Sequence, residues 1–201
     1  MPAPVAAIER STPAPALGEQ THDALLTPDE VAALRNREPW AWELAYRLYA
    51  KRLTGFLVVQ LSNRDQAAEA LSDTFLRALR ACPGLRGGPE QVPAWLFRIA
   101  RNVARDRQRA RQRQPIAADE IDLPDLLATG PEGTAILQDE AARVNGALEH
   151  LDPEDREVLL LRVCGRLSST EVGRIIGKRP GAIRMQQHRA LQVLAARMDQ
   201  T

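Results

Sequence analysis

The chain has 201 residues, 44% of them hydrophobic and 26% charged, and a formal net charge of +1. That length holds one or two compact domains with real cores, which excludes disorder throughout. No apolar run approaches the roughly 18 residues that span a membrane, the Pro- and Ala-rich start lacks the apolar core of a signal peptide, and the two cysteines, Cys82 and Cys164, lack zinc or disulfide spacing.

Residues 1–26, with PAPV and STPAPAL, read as a flexible extension. Thr27-Pro-Asp-Glu30 has the form of a helix start, with a capping pair and Pro at the first helical position. A helix follows from about Pro39 to Leu61, with Trp40, Leu44 and Leu48 among its apolar positions, and Asn63 opens another that runs to about Ala81. CPGLRGGPE breaks the chain before a helix from about Gln91 to Arg113. That helix is strongly basic: from Arg98 to Arg113 there are seven Arg and one acid, Asp106. Helical spacing puts Arg98, Arg101, Asn102, Arg105 and Arg109 on neighbouring stripes while Leu96, Ile99, Ala100 and Val103 pack inward. Phe97 suits the core; Trp95 suits either the core or stacking on an unpaired base.

From Gln114 to Ala142 there are seven acids and no Lys or Arg, and Pro115, Pro124, Gly130, Pro131 and Gly133 mark an extended acidic linker over 114–133. A final helical domain spans 134–201. Within it Asp152 is expected to cap a helix with Pro153 at its first position, and Val158 to Leu161 are too apolar for an exposed face. Ser168-Ser-Thr-Glu171 is a capping box, Gly177 supplies a left-handed stop, and Pro180 starts a helix only three residues later. Two helices joined by so tight a turn make a helix-turn-helix. In the last helix Ile183, Leu191 and Leu194 are expected inward, leaving Arg184, Met185, Gln187, His188 and Arg189 outward. From Arg162 to Arg197 there are eight Lys or Arg and one acid, Glu171, a surplus suited to phosphates, with Arg and Gln donors for base edges. An ordinary three-helix bundle with a solvated Arg face carries the same local pattern. The fold class is therefore all-α: two small helical domains, 27–113 and 134–201, joined by the acidic linker.

AWELAYRLYAKRL, DTFLRAL, AWLFRIARNVARDR, LDPEDREVLLLR and LSSTEVGRIIGKRPGAIRMQQHRAL, in that order, resemble the extracytoplasmic-function (ECF) class of bacterial sigma factors over about residues 39–197. The resemblance implies a non-catalytic subunit, without metal or cofactor, that docks on core RNA polymerase, recognises promoter DNA and assists its melting. The 27–113 unit would be sigma domain 2. Its Gln66, Glu69, Asp73 and Arg77 would meet the β′ clamp helices, and Trp95, Arg98, Arg101, Asn102 and Arg105 the melted minus-10 element. Domain 4, residues 134–201, would read the minus-35 element through Lys178, Arg179, Arg184, Met185, Gln187, His188 and Arg189. The acidic linker would run through the polymerase interior towards the RNA exit path, and the β subunit would be a further partner. A cytoplasmic location without membrane insertion follows, and the resemblance leaves room for an anti-sigma factor. Departures from the pattern include a docking helix poorer in carboxylates than usual and Leu85 where an aromatic is common. A stand-alone helix-turn-helix regulator is the alternative, but it gives no role to the second basic module. A nucleic-acid enzyme lacks a catalytic cluster, since His22, His150 and His188 are scattered.

Overall fold

The computed structural model describes residues 25–113 and 146–198, and every regular element among them is helical. The extension before residue 25, the acidic linker and the start of the last domain lie outside the described residues. Helix α1 (Pro28–Arg35) begins as expected: the Thr27 hydroxyl accepts the Glu30 amide and the Glu30 carboxylate accepts the Thr27 amide. Helix α2 (Pro39–Leu61) ends where Ser62 turns left-handed, and α3 (Arg64–Ala81) opens on the Asn63 side chain, which accepts the Gln66 amide at 2.8 Å. Two short 3₁₀ turns, Cys82–Gly84 and Pro89–Gln91, lead into α4 (Val92–Arg113).

Alanines let α2, α3 and α4 approach closely. Ala67, Ala70 and Ala78 of α3 are fully buried against Leu53, Phe56 and Leu57 of α2 and Leu96, Phe97, Ala100 and Val103 of α4, and the Phe56 and Phe97 rings meet edge to face at 5.6 Å. Trp40 is 38% exposed and Leu44 and Leu48 only half-buried, so the inner stripe of α2 is instead Ala41, Ala45, Tyr49 and Leu53, positions that recur every fourth residue.

Residues 146–149 are helical, followed by α5 (Pro153–Val163), α6 (Ser169–Ile176) and α7 (Pro180–Met198). Asp152 precedes α5 without accepting a side-chain cap bond, contrary to expectation; Glu154 and Asp155 place negative charge in the first turn, where it complements the helix dipole. The Ser168–Glu171 capping box is present, and Gly177 (φ 85°) ends α6 while its amide returns to Gly173. Ile183 and Ala190 are the buried residues of α7 on the apolar side, with Gln186 between them, while Leu191 is 47% exposed. The sequence reading placed Leu191 inward; a helix that buries 183, 186 and 190 turns 191 about 100° away. The cores of the two units are continuous, because α5 touches α2 and α6 touches α4.

Candidate nucleic-acid interface

The basic face of α4 divides by environment. Arg98 and Asn102 are exposed, and no hydrogen bond or ion pair engages either among the described residues. Trp95 is 9% exposed and lines a cleft of about 250 Å³ with Leu85, Arg86, Arg98, Arg174 and Ile175. Its ring is packed, and the cleft it lines carries one acid, Glu171, beside the arginines.

Arg101 departs from the expectation of an outward cation. It is 7% exposed, its Nε donates to Glu157 Oε1 at 2.9 Å, its Nη2 to Oε2 at 3.1 Å, and its Nη1 to the Ile175 carbonyl at 3.2 Å. Arg105 stays exposed but reaches the same carboxylate at 3.3 Å. Glu157 belongs to α5, in the other unit. A charged residue set between Arg156 and the apolar run Val158–Leu161 is the only local sign of such a partner.

In the helix-turn-helix, Arg179, Arg184, Met185 and His188 are exposed, Met185 by 76%. The other three expected contacts are engaged within the protein. Lys178 Nζ donates to Glu154 at 2.6 Å and to Gln186 at 3.3 Å, the Gln187 side-chain carbonyl accepts Arg162 Nε at 2.9 Å, and Arg189 forks onto Asp155 at 2.5 and 2.6 Å. The hydrogen bond from Arg189, with a further one from Gln186, holds the Asp155 carboxyl below the ordinary range although burial opposes it. Lys178 does the same for Glu154. Asp155 thus ties the start of α5 to the middle of α7 and fixes how α7 sits, a role the sequence analysis did not find.

On α3, Glu69 is exposed and Asp73 half-buried, and both accept from Arg107 of α4, at 2.8 and 2.6 Å. Burial works against the charge on Arg107, but these bonds outweigh it and raise its pKa above the ordinary guanidinium value. Arg77 pairs with Asp106 at 2.7 Å, and Gln66 is half-buried near the start of the helix. The expected docking residues lie on one helix, braced from behind by α4. Both cysteines are free thiols; burial pushes Cys164 up to about 11, which leaves it protonated and unreactive near neutrality.

Sigma-70 region 2 is matched over residues 38–114 and Sigma-70 region 4 over residues 142–194. The chain is 38% identical over 142 residues to the ECF RNA polymerase sigma factor ShbA of Streptomyces griseus, covering 68% of this chain and 74% of that one. The chain belongs to the ECF class of RNA polymerase sigma factors. This sigma factor is also 31% identical over 156 residues to CarQ of Myxococcus xanthus, covering 77% and 87% of the two chains. It is 36% identical over 130 residues to SigD of Mycobacterium tuberculosis, covering 64% and 61%. Among solved structures, the sigma factor RpoE bound to the anti-sigma factor NepR from Bartonella quintana matches with a TM-score of 0.62 at 25% identity, over 78% of this chain and 96% of that one. CnrH, solved with the cytosolic domain of CnrY, matches in fold with a TM-score of 0.64 at 22% identity, over 86% and 97%. As a sigma factor the protein directs core RNA polymerase to specific promoters and assists their melting, and its partners are core polymerase and promoter DNA. Sigma factors are initiation factors and not catalysts by themselves. With both regions matched, the stand-alone regulator is not favoured. No helix among the described residues is long and apolar enough to cross a membrane.

Proposed function

We propose that residues 27–113 form the minus-10 module and 134–201 the minus-35 module of this sigma factor, joined by the acidic linker 114–133, and that each uses the exposed part of its basic helix. On α4 the working set is Arg98, Asn102 and Trp95, with Arg101 and Arg105 joining when their carboxylate partner is displaced. The observation that carries this reading is the cleft at the start of α4, which Trp95 and three arginines, Arg86, Arg98 and Arg174, line together with one acid, Glu171. Stacking together with cationic backbone contacts is how unpaired strands are held. On α7 the exposed Arg179, Arg184, Met185 and His188 enter the major groove, while Lys178, Gln187 and Arg189 hold the helix in place and are supporting contacts. Glu69, Asp73, Gln66 and Arg77 of α3 dock on the β′ clamp helices. The protein acts in the cytoplasm, has no enzymatic activity of its own, and is held in check by an anti-sigma factor, as the complex of its relative RpoE with NepR suggests.

Run-off transcription with core enzyme on a genomic fragment library tests the reading and yields a promoter. On that promoter, permanganate footprinting should show less melting for Asn102→Ala than for wild type. If Asn102 acts only after strand capture, a template already unpaired at minus-10 suffers equally; if it acts before, only the duplex does. Normal melting on both templates removes Asn102 from the site.

A further inference from the structure

Met185 is the most exposed large apolar side chain among the described residues, at 76%. A single exposed apolar residue is ordinary on a protein surface, so exposure by itself decides nothing. Its surroundings decide more. Helix α7 turns Ile183, Gln186 and Ala190 inward, and the opposite face carries Gly181, Arg184, Met185 and His188, all exposed. Side chains on a helix lean towards its N-terminus, over the residues three and four positions earlier. For Met185 those are Ala182 and Gly181, and nothing lies within 4 Å of a Cβ built on Gly181. Four positions later stands Arg189, whose guanidinium is turned onto Asp155 at 2.5 and 2.6 Å. The thioether is therefore left uncovered, between Arg184 and His188 and close to Arg179 just before the helix.

An uncovered apolar side chain among cations has few partners in a major groove. The base edges there present hydrogen-bond donors and acceptors, and the apolar group among them is the C5 methyl of thymine. Arginine donors meet thymine O4 and guanine O6 alike, because both are acceptors. A methyl contact distinguishes the two bases where the donors do not. Methionine suits the task, since its unbranched, polarizable side chain adapts to the position of the group that it meets.

We infer that Met185 is a specificity-determining residue that packs on the C5 methyl of one thymine in the minus-35 element. This rests on the reading of α7 as the minus-35 helix, and it names the base group that position 185 selects. Burying one methyl-sized group is worth a factor of about four in affinity. The phosphate and hydrogen-bonding contacts of Arg179, Arg184 and His188 do not depend on the thioether, so its loss relaxes one position and leaves the others as they were.

The test uses the full chain assembled with core polymerase, on the promoter that run-off transcription yields. Each thymine of the minus-35 element, on either strand, is replaced in turn by deoxyuridine, which lacks only the C5 methyl. Wild type is compared with Met185→Gln, a polar side chain of similar length, and with Met185→Leu, which stays apolar. Competition binding gives the affinities, and a promoter with a scrambled minus-35 element is the reference for the helix as a whole. Wild type and Met185→Leu should each lose about fourfold at one thymine when it becomes uracil, whereas Met185→Gln should bind the two forms of that position equally. No response to uracil anywhere in wild type, or a full response kept by Met185→Gln, overturns the contact. A Met185→Leu variant as insensitive as Met185→Gln overturns it too, because the contact is apolar. If Met185→Gln instead weakens assembly with core polymerase and keeps the uracil response, the thioether faces protein and the proposal falls. Scrambling that costs wild type nothing takes the reading of α7 down with it; scrambling that is costly where uracil is not removes the methyl contact alone.

Discussion

The helix-turn-helix is set by a close approach at Gly173, and Gly173→Ala is the substitution that exposes it. A Cβ built on Gly173 falls 2.5 Å from the Lys178 carbonyl oxygen, a backbone atom, and 3.7 Å from the Pro180 nitrogen. That is about 0.9 Å short of ordinary van der Waals contact, and no side-chain rotation relieves it. The Gly173 carbonyl meanwhile accepts both the Gly177 amide at 2.8 Å and the Lys178 amide at 3.0 Å, so the turn cannot shift without lengthening the bonds that close it. Overpacking of this kind costs about 1–3 kcal/mol. For a unit of 60–100 residues, the size of the one that holds Gly173, that is a loss of about 4–8 °C in Tm per kcal/mol. Gly181→Ala is the control on the neighbouring helix: nothing lies within 4 Å of its Cβ, so its Tm should be unchanged or raised, by no more than about 1 kcal/mol of stability. Thermal unfolding by circular dichroism measures both, and holoenzyme binding to the minus-35 element reports whether α7 has moved. Equal stability and equal promoter affinity for Gly173→Ala and wild type would refute the close approach as the device that places α7.

Two further outcomes follow from the same geometry. Arg184→Ala should lose about 1–3 kcal/mol of discrimination at one base pair across a panel of minus-35 variants, whereas Arg189→Ala, whose guanidinium is engaged by Asp155, should weaken all sequences alike; the reverse pattern would exchange their roles, and no effect from either would remove α7 from the promoter. Glu69→Lys and Asp73→Arg should each weaken binding to core polymerase with little change in Tm, since each breaks only one exposed pair with Arg107, at side chains 70% and 43% exposed; unchanged core affinity in both variants would move the docking surface elsewhere.

What was legible in the chain was what local chemistry decides. Thr27 and Glu30, Ser168 and Glu171, Asn63 and Gly177 each act on neighbours within a few residues, and the structure places them in those roles. The inner faces were legible only in part. Trp40 and Leu191 are apolar residues beside smaller ones, Ala41 and Ala190, and the close helix packing selects the alanines. Apolar character marks a candidate for burial, but the distance between axes decides which neighbour fits. The site was legible as a set of arginines and not as a set of free arginines. Arg101 and Glu157 are 56 residues apart and Arg189 and Asp155 34 apart, so no window of helical length contains both members of either pair.

The choice of cation follows the same logic. Of the 27 Lys and Arg, only Lys51 and Lys178 are lysine. An ammonium is a compact, strongly hydrated point charge, whereas a guanidinium is a rigid fork that matches carboxylate and phosphate alike. Arg101 and Arg189 each present that fork to a carboxylate in the free protein. At Arg101 the fork engages both Glu157 oxygens, while its third donor goes to the Ile175 carbonyl. A lysine at 101 would replace the fork by a strongly hydrated point charge, losing the paired geometry on Glu157 and being desolvated at greater cost, so Arg101→Lys should lower Tm, as thermal unfolding would show.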